Sequence, residues 1–132
     1  VCWLLGIRTP EQLRAHPLRG AIFETWVVSE IAKHRANQGD SGGISHYRDR
    51  NGAEVDLIVE GPNGATIIEA KSSETASSNL FDGSRRVRRH LSQSTRRCSV
   101  VVVYGGDQRQ RRGTDCLVPW RELHEFDWDA SD

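Results

Sequence analysis

Two acids and a lysine stand close together in a pair of short β-type runs. In ATIIEAK (65–71) a period of two places Ile67, Glu69 and Lys71 on one face, with Glu69 and Lys71 about 6 to 7 Å apart. In EVDLIVE (54–60) the matching face holds Glu54, Asp56 and Ile58. If GPNG is a four-residue loop that leaves Glu60 opposite Ala65, Asp56 falls directly across from Glu69. Like charges facing each other across a ladder repel. This register therefore implies a cation between them, most simply a hard divalent metal held by oxygens. Lys71 beside it would orient or deprotonate a metal-bound water and hold a phosphate oxygen. If Asn63-Gly64 is instead a two-residue turn, Asp56 faces Lys71 in an ordinary cross-strand salt bridge. Pro62 weighs against the second register, and both stay open.

A third acid comes from upstream. PLRGAIFETWVVSEIAKHRA (17–36) has helical length and no internal proline. Thr25, Ser29 and Lys33 form a thin solvent edge, and Ile22, Phe23, Trp26, Val27, Val28 and Ile31 cover the rest. Glu24 lies roughly 140° from that edge, near Gly20, Val28 and Ile31. A buried charge without a partner is expensive. Glu24 is therefore met either by an arginine or by the same cation as Asp56 and Glu69, whereas Glu30, nearer the edge, reads as structural.

The remaining elements frame these groups. ISHYRD (44–49), EVDLIVE and ATIIEAK read as an antiparallel meander. After SSETASS, a helix over about 78–92 puts Leu80, Val87 and Leu91 on one stripe, with Arg85, Arg86, Arg88 and Arg89 on the sides and back. SVVVVYGG is an apolar run of the kind buried on both faces of a sheet, and DCLVPW is a short further strand. The resulting order, α-β-β-β-α-β, predicts an α/β fold with one mixed central sheet flanked by helices.

Composition bounds the reading. The chain has 132 residues, a mass of 14.8 kDa, 36% hydrophobic and 27% charged residues and a mean hydropathy of −0.59, which suits one soluble globular domain. It has no apolar run long enough to span a bilayer, and VCWLLGI lacks a basic n-region, so a cytoplasmic location is expected. Cys2, Cys98 and Cys116 are odd in number and lack C-x-x-C spacing, which predicts buried thiols rather than disulfides or a zinc site. The chain begins at Val1 and contains no Met, and reads as a piece of a longer polypeptide. Its 18 cations balance 18 acids, but only Lys33 and Lys71 are lysines. Residues 85–112 hold nine arginines against Asp107, and residues 115–132 hold six acids against Arg121. Arg85, Arg86, Arg88 and Arg89 are candidates for phosphate contact on nucleic acid. GGDQRQRRG reads as a flexible basic loop, and the four tryptophans are too scattered for a base-stacking platform.

A helix acid, Glu24, followed by Asp56 and Glu69-Ala70-Lys71 in consecutive strands, resembles the PD-(D/E)xK nuclease superfamily, whose restriction-endonuclease-like core has this order of elements. More closely, HPLRGAIFETWVVSEIAKHR, YRDRNGAEVDLIVE, IIEAKSS, VVYGGD and VPWREL resemble the uncharacterised C-terminal domain that follows an AAA-type ATPase module in many bacterial and archaeal proteins. The likeness runs from about Leu4 to Leu123. It implies a nuclease-like domain over 1–123, with an acidic tail over 124–132 and an ATPase module preceding it in the same polypeptide. It further implies Asp56 and Glu69 as metal carboxylates for Mg2+ or Mn2+, the Ala70 carbonyl as a further ligand, Glu24 completing the site, and Lys71 as the catalytic lysine. Val55 stands where the superfamily pattern has proline. The implied activity is metal-assisted hydrolysis of a DNA phosphodiester. The alternative is a catalytically silent nucleic-acid-binding or docking domain that regulates the ATPase.

Overall fold

The computed structural model describes every residue except 41, 62, 63, 92–96, 127 and 129–132. The acidic tail expected over 124–132 thus lies partly outside the described residues. A short helix, α1 (Pro10–Ala15), was not anticipated. It is set by a Thr9–Gln12 capping box with Pro10 in the first turn, and it buries no residue, so no apolar stripe announces it. α2 (Arg19–Asn37) starts two residues later than its expected Pro17. Val27, Ile31 and Arg35 are its buried positions, and Thr25, Ser29 and Lys33 form the exposed edge the sequence implies.

β1 (Ile44–Arg48), β2 (Glu54–Gly61) and β3 (Gly64–Lys71) follow as the expected antiparallel meander. The turn into β2 is braced by Asp49, whose Oδ1 accepts the N–H groups of Asn51 and Ala53, both at 2.8 Å. A 3-10 turn (Ser78–Phe81) leads into α3 (Asp82–Leu91). β4 (Arg97–Tyr104), β5 (Gln110–Arg112) and β6 (Asp115–Pro119) complete a six-stranded mixed sheet in the order β1-β2-β3-β4-β6-β5. β3, β4 and β6 run parallel, and β5 returns antiparallel along β6.

The basic stretch after β4 is therefore not a plain flexible loop. Tyr104 Oη donates to the Gln108 carbonyl at 2.8 Å and accepts the Gln108 N–H at 2.9 Å, and β5 follows as an edge strand.

Side-chain alternation along β4 divides the core. Val101 and Val103 pack with Val27 and Ile31 of α2 on one face, while Val100 and Val102 pack with Phe81 and Val87 on the other. β4 is buried on both faces, as its apolar run predicts. Trp128 joins the α2-side cluster and donates its indole N–H to the Leu123 carbonyl at 3.1 Å. Trp26 and Trp120, remote in sequence, meet edge to face with ring centroids 5.7 Å apart. The three cysteines are free and half-buried rather than buried, and burial pushes the Cys98 and Cys116 thiols up. Among the described residues no helix is long and apolar enough to cross a membrane.

Candidate functional site

The register of the β2–β3 hairpin decides where the acids meet. Glu60 pairs with Ala65 and Gly61 with Gly64, which aligns Asp56 with Glu69 and excludes the register that would face it to Lys71. The last ladder pair is Leu57↔Ile68, one step short of the two acids. On the other side of β2, pairing passes from Ser45↔Ile58 to Tyr47↔Val55, so three steps along β2 match two along β1. The bulge falls at Asp56–Leu57. Val55 and Ile58 consequently both join the α3-side core, which regular alternation would forbid. The bulge re-aims Asp56: its Oδ2 accepts the Ala70 N–H at 2.7 Å, where a β2 carbonyl would otherwise serve. N–H and C=O of one extended residue lie on the same strand edge. The Ala70 carbonyl therefore lies on the Asp56 side of β3.

Glu69 is 8% exposed and both its oxygens are engaged. Oε1 pairs with Lys71 Nζ at 2.5 Å, and Oε2 accepts from Ser84 Oγ of α3 at 2.9 Å. Glu24 stands on α2 near enough to act electrostatically on Asp56 and Lys71, is half-buried, and has no ion pair or hydrogen bond, to arginine or any other group, among the described residues. Burial is the main cause that lifts the Asp56 carboxyl to about 6. The Ala70 N–H opposes that rise, the negative charges of Glu69 and Glu24 add to it, and Lys71 counters it. At Lys71 burial works against the charged form, but the Glu69 hydrogen bond and the fields of Glu69, Asp56 and Glu24 together outweigh it and hold the ammonium above its ordinary value.

The end of β3 is held from two sides. Gly105 donates its N–H to the carbonyls of Lys71 and Ser73, at 3.1 and 3.0 Å. A Cβ on Gly105 would stand 2.7 Å from the Ser72 carbonyl oxygen, so only glycine lets the chain after β4 pass this close. Arg19 donates to the same Ser72 carbonyl at 2.5 Å, tying α2 to the strand end.

The donor set suits a hard cation: Asp56, Glu69 and Glu24 offer only oxygens, and three acids face one ammonium. Burial does most to raise the Asp56 carboxyl, and the neighbouring acids Glu69 and Glu24 add to it. Among the described residues no three acidic, histidine or cysteine side chains stand together as a ligand cluster, and Glu69 is turned to Lys71 and Ser84.

Of the four arginines singled out on α3, two are taken up by an acid that sequence reasoning passed over. Arg85 Nε meets Asp115 Oδ2 at 2.8 Å and Arg88 Nη1 meets Asp115 Oδ1, with Asp115 only 2% exposed. Arg86 and Arg89 are exposed and pair with no acid among the described residues. Ser84 was likewise passed over. Its only signal is a small polar residue on the Val87–Leu91 stripe, where burial would demand a polar partner.

Fold and site thus define a mixed-sheet α/β domain with a carboxylate–ammonium centre where β2 and β3 part. Residues 19–123 match the family described as a domain of unknown function, DUF4143, and the chain belongs to that family. No curated protein matches it.

Proposed function

We propose that this domain is a divalent-metal-dependent, nuclease-like hydrolase of DNA phosphodiesters, built on the PD-(D/E)xK pattern and acting as the module C-terminal to an AAA-type ATPase. The observation that carries the reading is the Lys71–Glu69 ion pair beside Asp56 at the parting of β2 and β3, with Glu24 of α2, which has no ion pair among the described residues, acting electrostatically on both Asp56 and Lys71. The element order α-β-β-β-α-β, with β4 parallel to β3, agrees with it.

Asp56, Glu69, Glu24 and the Ala70 carbonyl are the groups that would hold Mg2+ or Mn2+. When bound, such an ion lowers the pKa of water and offsets phosphoryl charge. Asp56 must shed its proton to act as a ligand, and the Ala70 N–H, by hydrogen-bonding the carboxylate, favours that form. Ser84 fixes one Glu69 oxygen and so orients the carboxylate from the α3 side. Lys71, held as an ammonium, stabilises developing charge on a phosphoryl oxygen and orients the attacking water by hydrogen bonding. Its raised pKa argues against a role as general base.

A second reading is a catalytically silent nucleic-acid-binding or docking domain that regulates the ATPase. It draws on the closed Lys71–Glu69–Ser84 arrangement, which leaves Glu69 already satisfied. Plasmid nicking with manganese separates the two, comparing the parent chain with Lys71→Ala and Glu69→Ala. Nicking by the parent that both variants lose supports hydrolysis. Equal nicking by all three, or none by the parent, sinks it, and the latter favours the docking role.

A further inference from the structure

Two arginines of α3 hold one buried carboxylate, and an arginine from each of α3 and β5 lies over one buried ring. Asp115 takes Arg85 and Arg88 from α3, and Arg112 stands directly across from it in the β5–β6 ladder. Arg85 and Arg112 both lie over the Phe81 ring, 5.0 and 5.4 Å from its centroid. Alongside them the exposed Arg86 and Arg89 help line a concavity of about 460 Å3 on the outer side of α3. Within α3 and β5 together, six arginines (85, 86, 88, 89, 111, 112) face one acid of their own, Asp82.

We infer that α3 and β5 form a docking rail for a nucleic-acid phosphodiester backbone, with Arg86 and Arg89 as direct contacts and Asp115 as the bracket that presets Arg85 and Arg88. The bracket matters because a guanidinium already held in place loses less freedom on meeting a phosphate than a free side chain does. Arginine forks also match phosphate oxygens two at a time. The choice of nucleic acid rests on the hydrolase reading. Ser84, on the inner face of the same helix, touches Glu69, and Arg89 lies about 7.5 Å further along the axis at 1.5 Å per residue. A backbone on the outer face is therefore separated from the carboxylate centre by the width of α3, about 10 Å.

The test is binding to a short duplex DNA without divalent metal, followed by fluorescence anisotropy from about 50 to 200 mM salt. The Arg86→Ala/Arg89→Ala double variant should flatten the slope of log K against log salt by about 1.8, roughly 0.9 for each phosphate that is no longer neutralised. Asp115→Asn should weaken binding several-fold although it removes a negative charge. A purely electrostatic role for Asp115 predicts the opposite, tighter binding. Should Asp115→Asn fail to fold, the double variant decides by itself. An unchanged slope in the double variant overturns the rail, as does tighter binding by a folded Asp115→Asn. A flattened slope with phosphatidylserine vesicles and not with DNA also overturns it. Because no metal is present, loss of nicking bears on the carboxylate centre alone, and a flattened slope on the rail alone.

Discussion

The Asp56 carboxylate accepts the Ala70 N–H at 2.7 Å, one step beyond the last β2–β3 pair, Leu57↔Ile68. A side chain here takes over a backbone bond of the ladder, and it does so at the point where the two strands separate and Glu24 approaches from α2. The contact satisfies Ala70 and at the same time carries a carboxylate into a half-buried, negatively charged setting.

That setting makes stability depend on pH. The folded chain holds the Asp56 proton up to about 6, against an ordinary value of 3.8, so the folded state binds this proton more tightly than the unfolded one. The contribution of Asp56 to stability is therefore greatest below the ordinary value and falls as pH rises through about 6. Asp56→Asn, which can still accept the Ala70 N–H, should remove this decline and be more stable than the parent at pH 7. Urea midpoints for both chains across that range check it; identical pH profiles would count against the buried acid.

Metal should reverse the penalty. Thermal unfolding with Mg2+ or Mn2+ above pH 6 should show a higher midpoint, because an ion that binds only the folded centre stabilises by about 2.7 kcal/mol at 100 times its Kd. Asp56→Ala should abolish the shift. The shift should also shrink as pH falls below about 6, where the ligand is protonated. A midpoint that responds equally in the variant would mean that ions bind elsewhere.

Ser84→Ala removes the donor to a carboxylate that is 8% exposed. Leaving that oxygen unsatisfied should cost about 1–3 kcal/mol of stability, measured by chemical denaturation. A loss under about 0.5 kcal/mol, the level of an ordinary surface change, would show that water replaces the hydroxyl.

Gly105→Ala tests the close pass behind Lys71. Its new methyl would meet the Ser72 carbonyl at 2.7 Å and the Ser73 carbonyl at 3.2 Å, both backbone atoms with little freedom to retreat. A loss of about 1–3 kcal/mol is expected, together with weaker metal-induced stabilisation as the end of β3 shifts. Calorimetry with and without manganese reads both effects.

Much of this was legible because it rests on local pattern. The α-β-β-β-α-β order follows from alternation and helical stripes, whereas the aligned Asp56–Glu69 register is one of two that the sequence leaves open, the one Pro62 favours, and Gly61 and Gly64 pair where the sequence implies a four-residue loop. The bulge was not legible, since EVDLIVE reads the same whether or not Asp56 breaks the alternation. Ser84 and Asp115 were hidden for another reason. Their partners lie 15 and 30 residues away, and neither sits in a recognisable motif. β5, Gln-Arg-Arg, carries no apolar alternation because it is an edge strand, and only pairing with β6 reveals it.

α2 is anchored at both ends: Arg19 reaches the Ser72 carbonyl, and the 1%-exposed Arg35 is held by Asp40 and the Gly42 carbonyl. Glu24, between those anchors, has no such tether among the described residues. The helix is thus a clamped beam carrying one loose tooth. When charge enters or leaves the centre, the answer should be a swing of that single side chain, with amide exchange along the beam left as it was.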